Sequence, residues 1–286
     1  MINDWQSLFA RLEDLLNRVE QHIPIPPRAP DWQNHHAFRW CKSDKYTGFQ
    51  IVTHPHGIRL NDLQGIDAQK QQIDRNTQQF LHRKPANNVL LWGARGTGKS
   101  SLIKALLNEY ANQGLRLIEV EKYDLIDLPE IVNYCEQHPE RFIIFCDDLS
   151  FEQHDASYKA LKSVLDGSIS APPDNVLIYA TSNRRHLLPE YFHENLQAHT
   201  VGEEIHHGEA VEEKISLSER FGLWLSFYPF SQEEYIAIVR YWLVKFGVLA
   251  TEETWRREAL QWALLRGSRS GRSAWQFARD FAGRMT

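Results

Sequence analysis

Cysteine is scarce in this chain of 286 residues: Cys41, Cys135 and Cys146 stand far apart, and none belongs to a C-x-x-C pair. That argues against a disulfide framework or a thiolate zinc site and fits a reducing compartment. Long apolar runs are missing too, since none approaches the roughly 20 residues that cross a bilayer. The opening Met1-Ile2-Asn3-Asp4-Trp5 lacks the basic-then-apolar order of a secretory signal. Nor is there a strong charge of one sign. Lys and Arg number 32 against 37 Asp and Glu, a formal net charge of −5, so nothing pulls the whole chain toward nucleic acid or membranes. The expectation is a soluble cytoplasmic protein with no membrane partner. With 42% hydrophobic and 24% charged residues the composition is globular, enough for one large domain or two modest ones.

What is present changes along the chain. Leu8, Leu12, Leu15, Leu16 and Val19 recur at helical spacing and predict a helix over 2–22. Four prolines between Ile23 and Pro30 predict an extended linker. Residues 31–60, rich in aromatics and His, suggest short strands and turns. From about residue 62 the pattern alternates: helix 66–83, strand 88–92, helix 99–112, strand 115–120, helix 127–137, strand 142–147, helix 155–166, strand 176–181 and a fifth strand over 222–228. Such alternation predicts a parallel α/β sheet. From Ser231 onward only helices follow, over 231–246, 252–265 and 271–283, which predicts a small all-helical C-terminal domain.

Gly93-Ala94-Arg95-Gly96-Thr97-Gly98-Lys99-Ser100 matches G-x-x-x-x-G-K-[ST] in full, between a predicted strand and a predicted helix. Glycines let backbone N–H groups turn inward around phosphate oxygens, and the following helix N-terminus adds partial positive charge. Lys99 can reach β- and γ-phosphates, and Ser100 can offer its hydroxyl to Mg²⁺. Gly93 through Ser101 are therefore the candidate nucleotide-binding residues. The dinucleotide order G-x-G-x-x-G is absent. Downstream, Phe142-Ile143-Ile144-Phe145-Cys146-Asp147-Asp148 is a buried-strand run ending in two carboxylates. Asp147 is placed to bind Mg²⁺, and Asp148 to orient or deprotonate an attacking water. The alternative is a helix cap after a core strand.

These residues resemble an AAA+ P-loop ATPase, over roughly residues 60–286. Leu60-Asn61-Asp62-Leu63-Gln64-Gly65-Ile66-Asp67 is similar to the adenine-side segment of that family, which implies Leu63 and Ile66 near the base. Leu177-Ile178-Tyr179-Ala180-Thr181-Ser182-Asn183 looks like the fourth strand with its polar sensor, which implies Asn183 between Asp148 and the γ-phosphate. Ser216-Leu217-Ser218-Glu219-Arg220-Phe221-Gly222 resembles the arginine-finger segment of the replication-initiator and helicase-loader branch. That implies that Arg220 reaches the ATP of a neighbouring subunit, although a surface salt bridge is the other reading. Ser270-Gly271-Arg272-Ser273-Ala274-Trp275 looks like the second sensor of a helical lid, with Arg272 on the γ-phosphate. Phe142–Glu152, Ala180–Glu190 and Gly208–Tyr228 make the whole string similar to one bacterial AAA+ family of unknown function. Most AAA+ proteins carry Glu where this chain has Asp148, one methylene shorter, which implies weaker water activation.

Other signals point elsewhere. His35-His36 and His206-His207 are adjacent and do not share a helix face, and His54-Pro55-His56 lacks zinc spacing. Gly267-Ser268-Arg269-Ser270-Gly271 has Arg where a nucleophile elbow needs its nucleophile. Tyr123 follows the second strand, where some unfoldases place a pore residue, but Lys122-Tyr123-Asp124 reads as a helix start. Residues 119–155 hold eleven acids, and residues 256–284 hold seven arginines against Glu258 and Asp280. The basic stretch could touch nucleic acid, face an acidic neighbouring subunit or be solvated.

The expected organisation is an N-terminal helix and irregular extension over 1–60, an α/β nucleotide-binding domain over 61–230 and a helical lid over 231–286. The expected function is ATP hydrolysis with Mg²⁺, by a homo-oligomer that remodels or loads an unknown macromolecular partner, an unknown protein client with nucleic acid also possible. The alternatives are a slow-hydrolysing ATP-switched binding module and a nucleic-acid remodeller akin to helicase loaders.

Overall fold

A computed structural model describes residues 11–15, 30–43, 46–151, 155–167, 173–185, 187, 199–201, 204–206 and 217–285. Its centre is a seven-stranded sheet built from β1 (Ala37–Ser43), β2 (Tyr46–Ile51), β3 (Val89–Gly93), β4 (Leu115–Glu119), β5 (Arg141–Cys146), β6 (Val176–Ser182) and, after a separate short hairpin of β7 (His199–Val201) and β8 (Glu204–His206), β9 (Leu223–Phe227). The order is β2-β1-β4-β5-β6-β3-β9, and every pairing is parallel except β1 with β2. The predicted parallel sheet is thus present. The short strands suggested between 31 and 60 extend it, with Ala37 opposite Leu117 and Arg39 opposite Glu119.

Period-2 alternation sends each central strand into two cores. Ile143 and Phe145 join Val89, Leu91 and Tyr179 on one face. Phe142, Ile144 and Cys146 join Leu90 and Ile178 on the other. Burial on both faces is why β5 reads as an unbroken apolar run. The first face is covered by α1 (Asp67–Leu81) and α2 (Lys99–Tyr110), the second by α3 (Leu128–Glu136) and α4 (Ala156–Asp166). The buried Tyr179 hydroxyl meets Asn76 Nδ2 at 3.0 Å and Thr77 Oγ1 at 2.9 Å, which fastens α1 to β6.

The C-terminal helices are α5 (Gln232–Lys245), α6 (Glu252–Leu265) and α7 (Gly271–Met285). Ser231 and Glu234 form a reciprocal capping box at the start of α5. Tyr235, Ile238, Ala259, Ala263, Phe277 and Phe281 join these helices to the first core, so the helical lid packs onto the sheet's α1–α2 side. The helix read over 2–22 and the proline-rich stretch lie mostly outside the described residues, of which 11–15 are helical. Among the described residues no helix is long and apolar enough to cross a membrane.

Candidate functional site

Parallel strands end on one edge of a sheet, so β3, β5 and β6 deliver their last residues to one place. There a cleft of about 750 Å³ opens between that edge and the lid. Its walls include Arg95 through Ser101, Asp147, Asp148, Thr181 and Asn183 from the α/β part, and Arg272 from α7.

The loop after β3 begins with a turn that only glycine permits. Gly93 has φ +125°, and a Cβ there would lie 2.0 Å from the Phe227 carbonyl oxygen. The loop then accepts the lid. Arg272 N–H donates to Gly96 O at 3.2 Å, and a Cβ on Gly96 would come within 2.9 Å of Ser270 Oγ. The glycines therefore serve strand seam and lid contact as well as any phosphate. Gly98, at φ +106°, opens α2.

Lys99 is only 6% exposed. Its ammonium donates to Gly93 O at 2.7 Å, Ala94 O at 2.8 Å and Asn183 Oδ1 at 3.1 Å. Burial pushes it down to about 8, against the opposing pull of Asp148 and Asp147. Asp147 Oδ1 accepts from Ser100 Oγ and from Thr181 Oγ1, each at 2.6 Å. Asp148 Oδ1 accepts from Asn183 Nδ2 at 2.5 Å. Asp148 also holds φ +51°, a left-handed conformation that costs a non-glycine residue about 1–2 kcal/mol. Asp is among the residues that tolerate it best. Hard oxygen donors beside a phosphate loop suit Mg²⁺, which takes one or two protein oxygens alongside phosphates and water.

Buried Leu63 and Ile66 also line the cleft, as do Ile238 and Trp242 of α5, and a Cβ on Gly98 would lie 3.6 Å from both Leu63 and Ile66. Asp62 lines the cleft as well; it is 5% exposed and accepts from Tyr241 Oη at 2.6 Å, from Lys245 Nζ and from Arg59 N–H at 2.9 Å. Burial alone would raise this carboxyl, but the Lys245, Tyr241 and Arg59 hydrogen bonds outweigh it and hold the group below its ordinary value.

Most of the sequence-chosen residues meet here: Leu63, Ile66, Arg95 through Ser101, Asp147, Asp148, Asn183 and Arg272. Gly93 and Ala94 contribute carbonyls to Lys99 rather than lining. Arg220 is not in the cleft; it pairs with Asp166 at the end of α4. Sequence reasoning missed Thr181, Trp242, Trp275 and Lys104. The four-residue spacing of Ile238 and Trp242 marks one helix face, but a core face would look the same.

Several known proteins are similar. Over 157 residues the chain is 29% identical to the 26S proteasome regulatory subunit 4 homolog of Schizosaccharomyces pombe, a match that covers 45% of this chain and 35% of that protein. Among solved structures, a point variant of Thermotoga maritima RuvB superposes with a TM-score of 0.51 at 14% identity, over 77% of this chain and 63% of RuvB. The Thermotoga maritima RuvB described as a Holliday junction branch migration motor gives 0.50 at 15% identity, with the same coverage. The chain thus spans about a third of the proteasomal relative and under two thirds of RuvB. The RuvB likeness supports an AAA+ fold over about three quarters of the chain. A family described as protein of unknown function (DUF815) matches residues 33–285, nearly all of the chain outside its N-terminal stretch, and this chain with its AAA+ fold belongs to that family.

Proposed function

We propose that this cleft binds ATP with Mg²⁺ and hydrolyses it by in-line attack of water on the γ-phosphorus, breaking the bond to the β–γ bridging oxygen and releasing ADP. The observation that carries the reading is the convergence on one cleft of the phosphate loop, both carboxylates, Asn183 and the lid's Arg272. The loop N–H groups and Lys99 hold phosphate oxygens, with Lys99 exchanging its loop-carbonyl partners for them. Ser100 and Asp147 would hold Mg²⁺, which would neutralise charge on the β- and γ-phosphates. Asp148, set by Asn183, orients the water and takes its proton. Arg272 meets the γ-phosphate from the lid, and Leu63, Ile66, Ile238 and Trp242 enclose the base. Arg220 serves the site of a neighbouring copy in a homo-oligomer.

The Arg220–Asp166 pair favours a second reading for the unassembled chain, an ATP-switched module that turns over slowly until Arg220 changes partner. The client on this reading is a protein. Four of the seven lid arginines are engaged within the lid: Arg256 with Glu233 and Glu252, Arg284 with Glu258 and Asp280, Arg266 over Trp262 and Arg279 over Trp275. That leaves less free charge for a nucleic-acid backbone, and an oligonucleotide arm in the turnover assay tests the alternative.

Two variants separate binding from chemistry. Lys99→Ala removes a charge-assisted phosphate contact and should weaken ATP binding about 30- to 150-fold. Asp148→Asn should still bind ATP while turnover falls about 10²-fold or more. Wild-type ATP affinity in folded Lys99→Ala, measured by calorimetry, would sink the assignment. Undiminished turnover in Asp148→Asn would reduce that residue to a turn former.

A further inference from the structure

The last residues of β6 grip the loop after β5 through a set of hydrogen bonds that centre on one side chain. Thr181 is 1% exposed. Its single hydroxyl proton goes to Asp147 Oδ1 at 2.6 Å, and the same oxygen accepts Asp148 N–H at 2.9 Å. Its backbone carbonyl accepts Leu149 N–H at 2.7 Å, and Ser182 Oγ donates to Leu149 O at 2.7 Å. The hydroxyl's donor and acceptor capacities are therefore both used, one on each acidic residue.

The two acids need this. Asp148 turns through φ +51°, a conformation that an extended strand does not continue into unaided. Its amide is the group that the turn would otherwise leave inside the sheet edge, and Thr181 Oγ1 receives it. Asp147 Oδ1 takes a second hydroxyl from Ser100, but Ser100 is partly exposed and is itself a candidate ligand. When the Ser100 hydroxyl serves another partner, Thr181 is the remaining side-chain donor among the described hydrogen bonds to Asp147.

We propose that Thr181 is the positioning residue of the acidic pair: one buried hydroxyl fixes the rotamer of Asp147 and the left-handed turn that aims Asp148 at the cleft. Thr181 contacts both acids, so it acts through them. The proposal rests on the ATP–Mg²⁺ reading for its catalytic consequence, but not for the geometry that it claims.

The test compares Thr181→Val, which keeps the branched shape and loses the hydroxyl, with Thr181→Ser, which keeps the hydroxyl. The full chain is used throughout. Amide hydrogen exchange over 147–149 in nucleotide-free protein reads the turn directly. Thr181→Val should speed it about tenfold or more, and Thr181→Ser should stay near wild type. ADP affinity in the presence of chelator should match wild type in both variants. The Mg²⁺ concentration that half-saturates ADP binding should rise several-fold in Thr181→Val, and kcat for ATP should fall about 10- to 100-fold, with recovery in Thr181→Ser. Wild-type exchange and Mg²⁺ dependence in Thr181→Val would overturn the proposal. So would a Thr181→Ser variant as impaired as Thr181→Val, because the methyl group would then be the part that matters. If Thr181→Val does not fold, Thr181→Ser against Thr181→Ala carries the same comparison, since both lose the methyl and differ by the hydroxyl alone. If the wild-type chain has no ATP turnover, the hydrolysis reading falls, and exchange together with Mg²⁺-linked ADP binding decides the role of Thr181 without it.

Discussion

Trp242 shows how a single side chain can serve two structures. Its ring lines the cleft along with Leu63 and Ile66, stacks on Phe246 at 6.0 Å between centroids, and has the Lys245 ammonium 5.1 Å from its own centroid. Trp242→Leu keeps an apolar residue against the lid but removes the aromatic face. Stacking is worth about 0.5–1.5 kcal/mol, so ATP affinity should drop roughly 2- to 10-fold, far less than for Lys99→Ala. The change in tryptophan fluorescence on ADP addition should shrink in parallel. An undiminished signal and affinity would remove Trp242 from the base site. The phosphate loop is readable in the sequence because its chemistry requires consecutive residues at fixed spacing. Trp242 and Thr181 are not, because their positions depend on which helix docks over the cleft and which strand ends beside β5. The sequence marks Asp148 as a candidate through its place after a buried strand, but its left-handed backbone has no signature in a run of letters.

Between elements, a buried polar joint ties the turn at Leu60–Asp62 to α5 through Asp62, Tyr241 and Lys245. It joins a cleft-lining residue of the α/β part to the lid. The Asp62 carboxyl is held below its ordinary value in the folded chain, so its contribution is fully present above the unfolded value of about 3.9 and is lost as pH falls through the lower folded value. Asp62→Asn should therefore lower the melting temperature at pH 7 by roughly 2–4 °C per kcal/mol lost. The gap from wild type should close as the pH drops below about 4. A gap that is constant with pH would mean that the charge contributes nothing there. The elements themselves are largely foreseeable where both faces are buried or where helical period and caps agree, as in β5 and α5. The hairpin of β1 and β2 is not, because its anchors are remote in sequence. Arg39 pairs with Glu119 at 2.7 Å and Lys42 with Asp127 at 2.7 Å, while buried Arg116 donates to Trp32 O. The helix expected from residue 127 also begins earlier, as a 3₁₀ stretch over Lys122–Asp127 that leaves Tyr123 exposed.

For the whole molecule, the position of Arg220 outside its own cleft makes assembly the natural test. If Arg220 completes a neighbour's site, specific activity should rise with protein concentration. Arg220→Ala should leave ATP affinity nearly intact and cut turnover, about 10³-fold at the usual value of an arginine finger. Mixing Arg220→Ala with Lys99→Ala should restore part of the activity, since one subunit keeps the loop and the other keeps the arginine. No rescue at any ratio, with activity independent of concentration, would confine Arg220 to contacts such as Asp166 within its own chain. The seam between β3 and β9 has a different bearing on the molecule, one that concerns how its variants would fare in a screen. Every residue larger than glycine at position 93 would drive an atom into the Phe227 carbonyl, a backbone group that cannot swing aside. Gly93→Ala and Lys99→Ala should both fail in a cell-lysate screen for ATP binding, yet for separable reasons: the first should vanish from the soluble fraction, and the second should accumulate to normal abundance as an inert protein.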